Sequence, residues 1–207
     1  MADEDKVRWN NKYAQGAYSQ RLHPSPYLEQ QLSSNSLKGG VRKGGGQALD
    51  VACGAGRNSI FLAQLGYSVI GVDISDVALD RGETRARDLD LDIRWEQIDL
   101  ENDPVLPDIQ FDLIIMFRFV ALELIEALVR KLNPTGILII EEHLQWSDSS
   151  VELSGPRSDR FRVEAGKLER LAEQFNLEKV DVFEGLVEEP DGSLAAVARL
   201  TAKKRKQ

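Results

Sequence analysis

The sequence has one cysteine, two histidines and two methionines in 207 residues. The lone thiol, Cys53, excludes an internal disulfide and any multi-cysteine metal site, and it fits a reducing compartment. The two histidines, His23 and His143, are too few for a convincing metal centre; Glu141 and His143 share a strand face but make only two ligands. Basic residues are in deficit: 26 Lys and Arg against 34 Asp and Glu give a net charge of −8. That sign repels polyphosphate and disfavours broad nucleic-acid binding. No apolar run reaches the roughly 18–20 residues needed to span a bilayer. The opening "MADEDKVRWNNKY" is acidic and polar, unlike a secretory leader. These absences point to a soluble, cytoplasmic protein without a membrane partner. The one dense basic stretch, Lys203–Lys206, reads as a solvated, frayed terminus.

What is present is alternation. A short polar helix over residues 4–15 places Trp9 and Tyr13 on one face. The prolines of "HPSPY" punctuate, "YLEQQLSS" reads as a helix, and residues 36–47 read as a glycine-rich connector without a P-loop. From Gln47 onward apolar strands and amphipathic helices take turns. Strands are expected over 47–53, 67–74, 92–99, 111–117 and 137–144. Helices are expected over 57–66, 75–90 and 120–132, with Ser75 as an N-cap and "NPTG" as the turn before the fifth strand. Such alternation implies a parallel sheet with helices on both faces. Residues 145–162 are polar and without period. A helix over 163–176 and two strands joined by "EEPDG" follow, and strands so joined pair antiparallel.

The stretch "ALDVACGAGRNSIFLAQLGYSVIGVDIS" (48–75) carries the chemistry. In an open parallel sheet, ligands bind beyond the carboxyl ends of the strands, near the point where strand order reverses. Gly54 and Gly56 follow the first strand, where glycine permits positive φ and close approach of a ligand to the backbone. Asp73 ends the second strand on the same rim, placed to accept hydrogen bonds from a ribose diol. The dinucleotide fingerprint requires a third glycine, and Ser59 stands there instead. S-adenosylmethionine has no phosphate and does not need that glycine. A lone Gly-x-Gly is a weak signal; followed by an acid at the end of the next strand it is considerably stronger.

"LDVACGAGRNSIFLAQLGYSVIGVDIS" resembles motifs I and II of the class I S-adenosylmethionine-dependent methyltransferases. Its Cys-Gly-x-Gly-Arg-Asn-Ser form is similar to the tellurite-resistance, TehB-like branch. "RWNNKYAQGAY", "FDLIIMFRF", "LNPTGILIIEE", "GPRSDRFRVEAGKL" and "FEGLVEEPDGSLAAVARLTAKK" resemble further segments of that family. The resemblance implies an α/β, Rossmann-like class I methyltransferase fold: a mostly parallel seven-stranded sheet with an antiparallel edge hairpin, helices on both faces. One domain would span residues 1–207, with N-terminal lid helices and linker over 1–46. A cofactor-binding core would cover 47–143, and a substrate-side loop, helix and hairpin 144–207.

Carried over residue by residue, Asp50, Gly54 and Gly56 would line the methionine end of S-adenosylmethionine, and Ala52 would also bind the cofactor. Asp73 would hold the ribose, with Ile74 on the adenine. Asp99 and Leu100 would meet the adenine, and Phe117 and Arg118 would lie under the cofactor. Trp9 and Arg57 would join the pocket. His143 and Arg118 are the candidate catalytic residues, and Arg157, Arg160 and Arg162 are candidates for holding an anionic substrate. Residues 1–38 and 145–162 would be lids. Thr135 departs from the family by replacing the first glycine of a Gly-Gly turn. The expected activity is methyl transfer by in-line displacement to a small-molecule thiol or chalcogen oxyanion, by a monomer or homodimer. RNA or protein methylation with a partner and a non-catalytic cofactor-binding module are the alternatives.

Overall fold

The computed structural model describes residues 2–33, 45–102 and 104–206. The glycine-rich connector expected over 36–47 falls largely outside the described residues. Two helices, α1 (Ala2–Ala14) and α2 (Pro26–Ser33), precede an alternating core. That core runs β1 (Gln47–Val51), α3 (Arg57–Gln64), β2 (Ser68–Asp73), α4 (Asp76–Asp88), β3 (Ile93–Gln97), β4 (Phe111–Phe117), α5 (Ile125–Lys131) and β5 (Leu132–His143). Helix α6 (Lys167–Gln174) and the strands β6 (Leu177–Glu188) and β7 (Leu194–Lys204) complete it.

The seven strands lie in the order β3-β2-β1-β4-β5-β7-β6. β1 to β5 pair in parallel, and β7 pairs antiparallel with both β5 and β6. The hairpin therefore forms the sheet edge, but its antiparallel member β7 is inserted between β5 and β6. Strand residues alternate between two apolar layers. Leu49, Val51, Ile114, Met116, Leu138 and Ile140 face a core closed by α5 and α6. Ala48, Leu113, Ile115, Ile137 and Ile139 face one closed by α2 and α3. Each fully buried Leu or Ile contributes about 1.5–3 kcal/mol. Central strands apolar on both faces are what a helix-covered parallel sheet requires. Strand order reverses between β1 and β4, so the rim beyond their carboxyl ends is where a ligand fits.

Three expectations are corrected. The helix expected over 120–132 starts later: a 3₁₀ turn over Leu122–Leu124 leads into α5. Arg118 is left-handed, and Ala121, at φ −134° and ψ 72°, offers no side-chain cap. "NPTG" is absorbed as a bulge within β5, the register jumping from Phe111↔Leu132 to Leu113↔Ile137. Thr135 there holds φ 70°, and a Cβ on Gly136 would lie 2.9 Å from the Asn133 carbonyl oxygen. The tail is not frayed at Lys204, whose ammonium donates to the carbonyls of Val129 (2.9 Å) and Leu132 (2.7 Å). A cation there satisfies the carbonyls that end α5.

Candidate functional site

A cavity of about 1100 Å³ opens on the rim beyond β1, β2, β4 and β5. Trp9, Asp50, Ala52, Gly54, Arg57, Asp73, Ile74, Asp99, Leu100, Phe117, Arg118 and His143 line it, so twelve of the thirteen sequence-derived candidates meet at one place. The thirteenth, Gly56, lies behind the turn.

Asp73 organises the β2 side. Its Oδ2 accepts the Gly54 N–H at 2.8 Å and its Oδ1 the Ser75 N–H at 2.9 Å. The acid at the end of one strand thus fastens the turn at the end of its neighbour. Each oxygen keeps a lone pair for a further donor. Burial raises the Asp73 pKa, and the backbone donors of Ser75, Gly54 and Ile74 oppose the rise. Asp50, also buried, accepts the Ser59 hydroxyl at 2.6 Å, and burial lifts its pKa to about 7. Ile74, Val77, Ile98 and Leu100 supply an apolar wall beside Asp73. Asp99 is engaged locally, accepting the backbone N–H groups of Glu101 and Asn102 at 3.1 Å each. Burial pushes the Cys53 thiol up, with Asp50 and Asp73 adding to the shift, so it stays protonated and is a poor nucleophile.

The β4–β5 side is a charge network. The Arg118 backbone is left-handed (φ 61°) and its N–H donates to the Glu141 carbonyl at 2.8 Å. Its guanidinium donates to Glu141 Oε1 (3.0 Å), to Glu189 Oε1 (2.7 Å) and to a His143 ring nitrogen (2.9 Å). Glu141 Oε2 accepts from Arg199 at 2.6 Å. Burial lowers the His143 pKa to about 3, helped by the charges of Arg118, Arg162 and Arg21. His143 is therefore neutral and weakly basic at ordinary pH. Glu142 turns to the opposite face, as strand alternation demands. Among the described residues no group of three or more His, Cys, Asp or Glu could hold a metal ion.

Two segments cover the mouth. α1 is clasped to the start of α4: Ser75 Oγ donates to Asn10 Oδ1 (2.7 Å) and Asn10 Nδ2 to Asp76 Oδ1 (2.8 Å). This brings the Tyr13 hydroxyl against Gly54, where a Cβ would overlap it. From the other side, residues 145–162 bring Phe161 beneath the Arg8 guanidinium, 5.9 Å from the ring centroid. Arg157, Arg160 and Arg162 do not line the cavity. Arg162 instead ties its own loop, donating to the carbonyls of Pro156 (2.9 Å) and Leu144 (2.8 Å). Sequence reading missed Asn10, Glu189, Arg199 and Trp95. The last three act only through distant partners, whereas Asn10 sits in the quoted "RWNNKY".

No curated protein sequence matches the chain significantly. Residues 48–136 match the family model described as a methyltransferase domain. Among solved structures, TehB from Haemophilus influenzae superposes with a TM-score of 0.68 at 18% identity, covering 91% of this chain. The chain spans 66% of that TehB chain, just under two thirds. An S-adenosylmethionine-dependent methyltransferase from Methanosarcina mazei gives 0.64 at 18% identity, over 90% of this chain and all (100%) of that one. Magnesium protoporphyrin IX methyltransferase from Synechocystis PCC 6803, solved with bound S-adenosylmethionine, gives 0.64 at 16% identity over 97% of both chains. No described helix is long and apolar enough to cross a membrane.

Proposed function

We propose, on the premise that residues 48–136 are a methyltransferase domain within a class I, TehB-like methyltransferase fold, that this chain transfers a methyl group from S-adenosylmethionine to a small-molecule acceptor. The observation that carries the reading is the Asp73 carboxylate on the cavity rim, held by the N–H groups of Gly54 and Ser75 with a lone pair to spare on each oxygen. That donor set fits a ribose diol. Ile74 and Leu100 beside it fit an adenine face. Ala52, Gly54 and Asp50 border the space for an amino-acid arm, and Arg57, half-buried and without a hydrogen bond among the described residues, offers a cation there.

When bound, the cofactor supplies a methyl group already activated on a sulfonium. The protein's work is then alignment and exclusion of water; alignment can contribute up to roughly 7–11 kcal/mol. α1 and the segment carrying Phe161 enclose the mouth, which suits a small acceptor better than a polymer. The acidic charge balance supports the same preference. His143 is a weak base, and both Glu141 oxygens are occupied by guanidinium groups. An acceptor that brings its own nucleophilic anion, a thiolate or a chalcogen oxyanion, fits such a site; an amine or alcohol would need a stronger base. The single free thiol fits a reducing compartment such as the cytoplasm, and the chain is read as a monomer or homodimer.

Titration calorimetry with S-adenosylmethionine and its demethylated product tests the cofactor. Binding by the wild type and an affinity loss of at least about 100-fold in Asp73→Ala are expected, because a charged acceptor is removed. No heat and no thermal shift in the wild type would overturn the reading. A product screen over thiols, tellurite, selenite, amines and bulk RNA then identifies the acceptor, and turnover of RNA alone would replace the small-molecule assignment.

A further inference from the structure

Three glycines from three elements surround one side chain. Gly56 closes the turn after β1 with φ 72°, Gly71 lies inside β2, and Gly82 lies inside α4. A Cβ on Gly56 would overlap the Trp95 ring. One on Gly71 would lie 3.0 Å from Trp95 Cε3 and Cζ3, and one on Gly82 2.9 Å from Cη2. Trp95 is paired directly with Gly71 across β2 and β3, so its indole reaches over Gly71 toward the other two. Glycine is disfavoured inside both a helix and a strand. Of the three glycines, only Gly56 has a positive φ, so backbone conformation does not account for Gly71 or Gly82. The room they leave is the room the indole fills. The buried Trp95 indole nitrogen has no hydrogen-bond partner among the described residues. Simple core filling would be served as well by a phenyl ring without an orphaned N–H. What tryptophan adds is the width to reach Gly56.

We infer that Trp95 is a positioning residue: it buttresses the Gly54–Gly56 turn from behind and so fixes the backbone against which the cofactor's amino-acid arm rests. The turn is thereby gripped from two sides, by the Tyr13 hydroxyl on Gly54 and by the indole at Gly56. Two turn amides report on it, the Gly54 N–H bound to Asp73 and the Gly56 N–H bound to the Cys53 carbonyl at 3.0 Å. This inference rests on the cofactor reading above, but those amides can be followed without any ligand.

The experiment compares wild type, Trp95→Phe, Gly82→Ala and the double variant by amide hydrogen exchange, thermal melting and calorimetry with S-adenosylmethionine. Trp95→Phe is expected to shift the ligand-free Tm by no more than about 3 °C. Exchange at Gly54 and Gly56 should rise about tenfold, with Leu138 and Ile139 in β5 unchanged, and cofactor affinity should fall about tenfold. Gly82→Ala, although better for the helix, should push the indole toward Gly56 and weaken cofactor binding by a similar factor. In the double variant the added methyl meets the smaller ring, so the second substitution costs no further affinity. Unchanged exchange at both turn amides in both single variants overturns the inference, whatever happens to Tm. Faster exchange in a wild type background that binds no cofactor keeps the buttress and removes only the cofactor reading.

Discussion

The rim beyond β1 and β2 and the rim beyond β4 and β5 face one cavity, yet they are built differently. On the first, carboxylates are satisfied by close neighbours in sequence: Asp73 by Ser75, two residues on, and by Gly54, 19 residues back, and Asp50 by Ser59, nine residues on. On the second, side chains meet across long intervals: Arg118 with Glu141 at 23 residues and Glu189 at 71, Arg199 with Glu141 at 58. Local backbone donors make a fixed cradle. A long-range ionic network makes a surface whose shape depends on the hairpin docking correctly. A cofactor common to many reactions suits the first kind of rim, and a variable acceptor suits the second.

A sharper contrast sets the buried acids of the first rim against Glu142, which lies between Glu141 and His143 but faces away from the cavity. Asp50 and Asp73 have well-formed hydrogen-bond donors, whereas neither oxygen of fully buried Glu142 has a partner at hydrogen-bond geometry among the described residues, the Phe119 backbone being near but poorly placed. Burial raises the Glu142 pKa well above its ordinary 4.5, and the nearby Phe119 backbone and Arg118 charge oppose only part of the rise. The folded protein therefore keeps a proton that the unfolded chain releases once the pH exceeds about 4.5. Stability falls as pH rises through that window, by up to about 1.4 kcal/mol per pH unit, until the folded-state value is passed. Glu142→Gln removes this slope. Urea unfolding from pH 4 to 8 should show the two proteins close together at the acid end and the variant progressively more stable above it. Asp50 and His143 titrate in both proteins and cancel in the difference. Parallel profiles would mean that Glu142 is solvated, and its contrast with Asp50 and Asp73 would disappear.

The difference in construction also explains what could be read from the chain beforehand. Asp73 and the Gly54–Gly56 turn were recognisable because strand ends, a tight turn and an acid follow one another within 48–75. The surroundings of Gly56 were not: its neighbour is Trp95, 39 residues on and on another strand, so only the folded sheet shows an indole packed against this glycine. The strand alternation that separates Glu141 and His143 from Glu142 was visible. The pairing of Arg118 with Glu189 was not, because nothing in the pattern of a hairpin turn says which distant cation it will meet. The arginines of 157–162 looked like an anion site by crowding alone, yet Arg162 spends its donors on its own loop.

Arg118→Met tests the second rim directly. It removes the donors to Glu141 and Glu189 while Arg199 still holds Glu141. Taking one partner from a largely buried ion pair costs about 3–5 kcal/mol, and the surviving Arg199 contact places the expected loss at about 3 kcal/mol. Chemical denaturation measures it. If the two rims are separate in function, affinity for S-adenosylmethionine should change less than about threefold while kcat/KM for the acceptor falls at least tenfold. A loss of cofactor affinity as large as that of Asp73→Ala would show that the rims act as one.

The smallest effect belongs to a control far from both. Arg118 and Thr135 are each non-glycine residues held left-handed, at φ 61° and φ 70°. Arg118 sits at the carboxyl end of β4, on the cavity; Thr135 sits in the bulge at the opposite end of β5. A β-branched residue pays about 1–2 kcal/mol for that conformation, part of which glycine returns through its greater freedom in the unfolded chain. Thr135→Gly should therefore stabilise by about 0.5–1 kcal/mol, raising Tm by about 1–4 °C for a chain of this length. Cofactor affinity and turnover should stay at wild-type values, since the strain is relieved where no ligand lies. Differential scanning calorimetry beside a turnover assay decides it. A variant that melts earlier would mean that the threonine side chain has a packing role in the bulge, and one that melts later but turns over more slowly would tie this end of β5 to the rim.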